Sequence, residues 1–314
     1  MRTPNVFAGP YLDRAAHLRK DAASFAAALA DPDSLIVPLW QARNLVRRGD
    51  RSSTAAFIEV THDVRRELPD GELVLLGRFR GRAVFAAELR ADAAPSLVPD
   101  ASFEDLRTAG GFLPHDEAGL LAYARAMILW RQRHRHCGTC GAPARPESSG
   151  HVMKCTAPSC GAEQFPRLDP AIIVLVTDGE RALLGRQAAW PAGRYSTIAG
   201  FVEPGESLED AVVREVLEET GVAVHDAEYH SSQPWPFPSS LMIGFTAHAA
   251  ADAVPRADEE LEDVRWFTRE DIAAGAVGLP PPQSVSLRLI EDWYDAGSPL
   301  PLRQTPGVKL WGRR

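Results

Sequence analysis

The sequence predicts an α+β chain built in three parts, and three observations carry that reading. Short apolar runs split by Gly, Pro and Asp fill the first 115 residues, and all four cysteines fall between positions 137 and 160. From 166 onward strands alternate with helices, opening on the continuous apolar run AIIVLV at 171–176. A chain of 314 residues has room for two domains and a smaller third, and an apolar content of 45% supplies a sizeable core. The expected boundaries are 1–130 for an N-terminal α+β domain, 131–166 for a cysteine module, 167–300 for the C-terminal domain and 301–314 for a tail.

In the first part, 13–30 reads as one helix, followed by strand-like runs at 34–37, 56–60, 73–76 and 82–87. No catalytic pattern falls there. From Asp116 the sequence EAGLLAYARAMILWRQRHRH reads as a helix that runs straight into the cysteines. The net charge of −8 argues against broad, non-specific nucleic-acid binding but leaves room for a local basic patch. The start, MRTPNVFAGPYLDRAAH, lacks the apolar core and small residues of a secretory signal. No stretch approaches the ~20 apolar residues of a membrane helix. A soluble, cytoplasmic protein is expected, without repeats or low-complexity tracts.

The cysteines are spaced C-x2-C (Cys137, Cys140), fourteen residues, then C-x4-C (Cys155, Cys160). Without a secretory signal, metal binding is a better reading than two disulfides. Tetrahedral zinc takes four thiolates at about 2.3 Å, and two short knuckles on facing hairpins supply them. Glycine follows both Cys140 and Cys160, which suits tight turns. Four cysteines with no nearby carboxylate leave no open position, so a structural zinc is expected. The basic run 131–136 just ahead has two readings: contact with RNA or phosphate, or a solvated helix C-terminus where the dipole favours cations.

The most specific stretch begins at Gly200-Phe-Val-Glu-Pro-Gly-Glu206 and continues, seven residues on, with Arg214-Glu-Val-Leu-Glu-Glu-Thr-Gly-Val222. Ser207 is an N-cap with Asp210 three residues later, and Gly221 is a left-handed stop, so 208–220 is a helix. Val212, Val213, Val216 and Leu217 form its expected apolar face. Glu215 and Glu219 lie one turn apart on the same side, with Glu218 beside them. Like charges at this spacing oppose helix formation, whereas hard divalent cations demand clustered oxygens.

These residues match the Nudix box, G-x5-E-x7-R-E-U-x-E-E-x-G-U with U aliphatic, without a departure. The resemblance implies a Nudix α/β/α sandwich and hydrolysis of a nucleoside diphosphate linked to another moiety. It further implies Mg²⁺ or Mn²⁺ at Glu215, Glu219 and the carbonyl of Ala199, with Glu218 a ligand or the general base, and Arg214 pairing with Glu206 to hold the loop against the helix. The chemistry is coherent by itself, because attack on an anionic diphosphate needs its charge neutralised.

A cysteine module directly before the box, and SQPWPFPxS shortly after it (Ser232 to Ser240), resemble the NADH pyrophosphatase (NudC-type) family. The likeness covers about 116–296; the first hundred residues match only in general position. Prolines preset such a loop, so little entropy is lost on binding a ligand. Residues Gln233, Pro234, Trp235, Pro236, Phe237, Pro238, Ser239 and Ser240 are therefore expected to contact substrate, Gln233 and Ser240 by hydrogen bonds and the rings as walls. A rigid packing turn with structural aromatics is the competing reading.

Phe201 is a candidate to stack on nicotinamide, and Phe165 stands where the family often has tyrosine. Ser286 and Arg107 are weaker substrate candidates. In the DEELED run at 258–263, alignment with the family puts another metal carboxylate at Glu260, six residues before Trp266, with Glu259 a close rival. No G-x-G-x-x-G follows a strand, so a dinucleotide is expected as substrate and not as a bound redox cofactor.

The resemblance thus implies an NAD(H) diphosphatase giving AMP and nicotinamide mononucleotide, able also to remove NAD caps from RNA 5′ ends, with one structural Zn²⁺ per chain and a homodimeric state. A broader Nudix hydrolase acting on ADP-ribose is the alternative. A zinc-ribbon RNA-binding protein with an inactive Nudix domain is opposed by the intact Glu215, Glu218 and Glu219 set.

Overall fold

The computed structural model describes residues 3–50, 52–60, 73–89 and 98–311. They divide into two compact units, 1–168 with 234–239, and 169–233 with 240–314.

The first unit holds a mixed sheet whose strands run in the spatial order Leu12–Asp13, Val74–Phe79, Arg82–Glu88, Leu35–Trp40, Arg43–Arg48 and Ser53–Ala55. Side chains alternate along these strands, as a period of two requires, and both faces are covered. Leu35, Val37, Leu39, Val74, Leu76, Val84 and Ala86 face one core, which takes in Leu120, Leu121, Ala124 and Ile128 of the helix His115–Arg133. Ile36, Leu75, Ala83, Phe85 and Ala87 face the other, against which Phe25, Ala28 and Leu29 of the helix Ala22–Ala30 pack.

That helix is shorter than the 13–30 expected. Asp21 caps its start by accepting from the Ala23 amide, and Ala15 adopts a left-handed conformation that breaks any helix before it. The His115–Arg133 helix does run almost to the first cysteine, with Asp116 and Glu117 in its first turn and Arg131 and Arg133 in its last, the polarity its dipole favours. A three-stranded antiparallel ribbon follows, Ala144–Glu147, Val152–Cys155 and Glu163–Gln164.

The second unit is a sheet between helices. Its strand order is Val224–Trp235, Ser240–Ala249, Asp169–Thr177, Arg181–Arg186 and Asp263–Thr268, with Ile198–Phe201 pairing antiparallel to Asp169–Thr177. Ile172, Val174 and Val176 face Ala211, Val212 and Val216 of the helix Leu208–Thr220. Ile173 and Leu175 face Val285, Leu289 and Ile290 of the helix Val285–Gly297 on the other side. This is the α/β/α sandwich.

Two expectations change here. Val213 and Leu217 are exposed, so the buried apolar residues of the Leu208–Thr220 helix are Ala211, Val212 and Val216. Residues 301–311 are not a free tail: Leu302 is buried in the second unit's core, and Lys309–Leu310 pairs in parallel with Gly278–Leu279. Among the described residues no helix is long and apolar enough to cross a membrane.

Candidate active site

The glutamate helix is set in register by its ends. The Ser207 hydroxyl accepts from the Asp210 amide (3.1 Å), while the Asp210 carboxylate accepts from the Ser207 amide (3.1 Å), a reciprocal capping box. Gly221 closes the helix at φ 66°, a conformation that costs glycine nothing.

Arg214 gathers the surrounding groups. Its guanidinium donates twice to Glu206 (2.6 and 3.0 Å), once to the Phe201 carbonyl (3.0 Å) and once to Glu218 (3.1 Å), and it pairs with Glu215 at 3.0 Å. Glu206 also accepts from the Glu203 amide at 2.7 Å, so loop 203–206 is fastened to the helix through one carboxylate. Arg214, followed by that amide, holds the Glu206 carboxyl down at about 2.

Glu215 lies against the strand Ile198–Phe201, where the box glycine earns its place: a methyl group on Gly200 would overlap the Glu215 carboxylate. Glu219 is only 6% exposed. Burial first, then the charges of Glu215, Glu260, Asp258 and Glu218, push its carboxyl up to about 8. Burial likewise raises Glu215, with Glu218 and Glu260 adding to it. Glu260 is among the charges acting on both helix carboxylates, which favours it over its rival Glu259.

Several carboxylate charges acting on one buried carboxyl oppose its ionisation, and a hard divalent cation with oxygen ligands relieves that repulsion. The donor set of Glu215, Glu218, Glu219, Glu260 and the Ala199 carbonyl fits Mg²⁺ or Mn²⁺ in chemistry. Ala199 is exposed and sits beside Gly200, in register with Ile173.

The cysteines fit zinc in geometry as well. All four sulfurs lie within 4.8 Å of one another, with Cys137–Cys160 at 3.8 Å and Cys140–Cys155 at 3.5 Å. Sulfurs about 2.3 Å from the centre of a tetrahedron stand about 3.8 Å apart. Gly141 and Gly161 adopt φ 74° and 61°, as the tight knuckles require. The Thr139 amide points at the Cys137 sulfur and the Ala157 amide at that of Cys155, both at 3.4 Å. Amides of Cys140 and Thr139 pull the Cys137 thiol down to about 6, favouring the thiolate that a metal binds.

The proline-aromatic stretch behaves in two ways. Residues through Trp235 end the Val224–Trp235 strand, contrary to the expectation of a loop without regular structure; this is an edge strand, where Pro234 can be tolerated. The turn that follows packs its rings within the first unit. Phe237 is buried, at 5.0 Å from Trp235 and 6.1 Å from Phe7, and Arg107 and Arg125 lie over it at 4.8 and 4.9 Å.

Gln233 was expected free for a base or ribose but is fully buried. Its amide donates to the Gln283 carbonyl (2.7 Å) and its oxygen accepts from the Val285 amide (2.9 Å), joining the strand end to the start of a helix. Ser240 is buried at the start of its strand. Ser286 is 3% exposed, and its hydroxyl meets those of Ser196 (2.9 Å) and Thr197 (2.8 Å), an internal bracket where substrate contact was expected. Phe165 and Phe201, by contrast, present their rings to solvent, at 61% and 60% exposed. Arg125 and Asp258 carry no motif of their own; the D-x-E spacing of Asp258 and Glu260 is the signal the sequence offers for the second.

This fold and glutamate helix are those of a NUDIX domain: a family model of that description matches residues 167–287. Two further models match in series before it, the "NADH pyrophosphatase-like rudimentary NUDIX domain" at 33–130 and the "NADH pyrophosphatase zinc ribbon domain" at 132–165. The chain is 39% identical over 300 residues to the NAD-capped RNA hydrolase NudC of Mycobacterium bovis (strain BCG / Pasteur 1173P2), covering 90% of this chain and 92% of that one. It is 44% identical over 227 residues to the protein so named from Stutzerimonas stutzeri (strain A1501), covering 72% of this chain and 79% of that one. The chain belongs to the NADH pyrophosphatase (NudC-type) family of Nudix hydrolases.

Proposed function

We propose that the chain hydrolyses the diphosphate of NAD(H) to AMP and nicotinamide mononucleotide, and by the same cleavage removes NAD caps from RNA 5′ ends. The observation that carries this reading is Glu219, buried among the carboxylates of a complete Nudix helix, in a chain whose relatives are named NAD-capped RNA hydrolases.

Glu215, Glu219, Glu260 and the Ala199 carbonyl would hold Mg²⁺ or Mn²⁺, with Glu218 a further ligand or the proton acceptor. When bound, such a cation neutralises the non-bridging phosphate oxygens and lowers the pKa of the attacking water. Arg214 keeps Glu206, Glu215 and Glu218 in one arrangement, so little reorganisation is left for the reaction. The exposed Phe201 and Phe165 rings supply stacking faces for nicotinamide or adenine. Trp235, Arg107, Pro234, Pro238 and Ser239 keep surface open to a substrate, whereas Pro236 and Phe237 are buried and stiffen the turn from within. One structural Zn²⁺ in the cysteine knuckles completes the chain, which works as a cytoplasmic homodimer.

The test incubates purified protein with Mg²⁺ or Mn²⁺ and, in parallel, NADH, NAD⁺, ADP-ribose and NAD-capped RNA. AMP and the mononucleotide are expected from the dinucleotides, and a 5′-monophosphate RNA from the capped transcript. No AMP from any dinucleotide overturns the reading, and a strong preference for ADP-ribose moves it to the broader hydrolase. Sedimentation equilibrium tests the dimer.

A further inference from the structure

Residues 256–262 are the second half of the connection between the strands Ser240–Ala249 and Asp263–Thr268; they have no regular structure of their own, yet the segment is tied down on both sides. At its start the Arg256 amide donates to the Thr220 carbonyl at 2.8 Å, one residue beyond Glu219 on the glutamate helix. At its end Leu261 is buried against Gly185, where a methyl group would overlap it, and the Glu262 amide donates to the Arg186 carbonyl at 2.9 Å. Arg186 and Glu262 also form an ion pair.

Between these anchors stands Asp258. One oxygen of its carboxylate accepts from the Glu260 amide at 2.8 Å and, more weakly, from the Leu261 amide at 3.4 Å. This is an Asx turn, in which a side chain takes the place of a backbone carbonyl two residues back. The turn fixes the backbone of Glu260, whose side chain is exposed and whose charge acts on both Glu215 and Glu219.

We infer that Asp258 is a positioning residue: as the acceptor of this turn, its carboxylate holds Glu260 toward Glu215 and Glu219. The inference rests on the proposed function, in that Glu260 is taken there as a cation-binding carboxylate. Asp258 acts by geometry and not as a ligand, and this gives the idea its sharpest consequence. Asparagine offers the same oxygen to the same amides without the charge, whereas alanine offers nothing.

The test titrates Mn²⁺ into the zinc-loaded full chain without substrate, following free Mn²⁺ by electron paramagnetic resonance, for wild type, Asp258→Ala, Asp258→Asn, Glu260→Gln and Glu219→Gln. Asp258→Ala and Glu260→Gln are expected to weaken Mn²⁺ binding about tenfold, the scale seen when a partner that orients a ligand is lost. Asp258→Asn stays within about twofold of wild type, because the turn survives. For the two Asp258 variants the Mn²⁺ concentration for half-maximal NADH hydrolysis follows the same order, while the melting temperature stays unchanged.

Asparagine as weak as alanine overturns the inference in favour of a charge role. Alanine equal to wild type, with Glu260→Gln weakened, overturns the inference and leaves the function standing. Glu260→Gln and Glu219→Gln both equal to wild type sink the cation site itself, and the inference with it.

Discussion

Cys137, Cys140, Cys155 and Cys160 bring their sulfurs within 4.8 Å of one another on turns whose amides point at them, and among the described residues they are the only group of metal-type donors so close. Glu215, Glu218, Glu219 and Glu260 are drawn from a helix and a separate loop, and Arg214 pairs with Glu215 and Glu218. Backbone amides aimed at the sulfurs of Cys137 and Cys155 preassemble the cysteines. Carboxylates repel, so their fold must hold them near each other without letting them meet. The first arrangement suits an ion that stays, and the second suits one that arrives with an anionic substrate.

Removing zinc is the strongest way to break the comparison. A chelator should lower the melting temperature by on the order of 10 °C, because the ribbon's folding free energy resides in its metal bonds. Calorimetry with and without chelator checks this, and an unchanged transition denies the cysteines a structural role. Removing Mg²⁺ or Mn²⁺ should abolish turnover while leaving the fold in place. Glu219→Gln should likewise cost about 10³-fold in kcat/KM with the protein still folded, read by steady-state NADH hydrolysis.

The repulsion itself is measurable through pH. Folding raises the Glu219 carboxyl from its ordinary value of 4.5 to about 8, so between those limits the folded state binds the proton more tightly than the unfolded one. The stabilisation is fully present below about 4.5 and is lost as pH rises through about 8. In cation-free buffer, wild type should therefore lose up to a few kcal/mol relative to Glu219→Gln between pH 5 and 8, and saturating Mn²⁺ should restore part of it. Parallel stability curves for the two proteins would remove the strain from the glutamate side of the comparison.

A subtler disturbance is Gly200→Ala, whose methyl group displaces the Glu215 carboxylate. Activity should fall about 10- to 100-fold, with the Mn²⁺ requirement raised and the cysteine knuckles untouched. Gln233→Ala should act least on chemistry. With two buried hydrogen bonds removed, it should cost about 1–3 kcal/mol of stability in denaturant unfolding before it alters KM for NADH. A pure KM effect would return Gln233 to the substrate.

The spacing of the cysteines, the capping box at Ser207 and Asp210, the stop at Gly221 and the one-turn separation of Glu215 and Glu219 were all legible in the sequence. Each is a local matter, decided by backbone geometry over fewer than two turns of chain. The same holds for the apolar strand at 171–176, whose length and composition admit burial on both faces.

What lay beyond the sequence depends on which face of an element another element covers. Only the packed sheet shows that Val213 and Leu217 face solvent while Val212 and Val216 do not, or that Gln233 and Ser286 spend their polar atoms inside the protein. Only the folded loop, anchored at Thr220 and Leu261, brings the Glu260 charge to bear on Glu215 and Glu219, which spacing along the chain leaves open. Chain spacing determines what neighbours in sequence can do together. Side-chain burial is a property of distant neighbours, so the tertiary structure alone decides it.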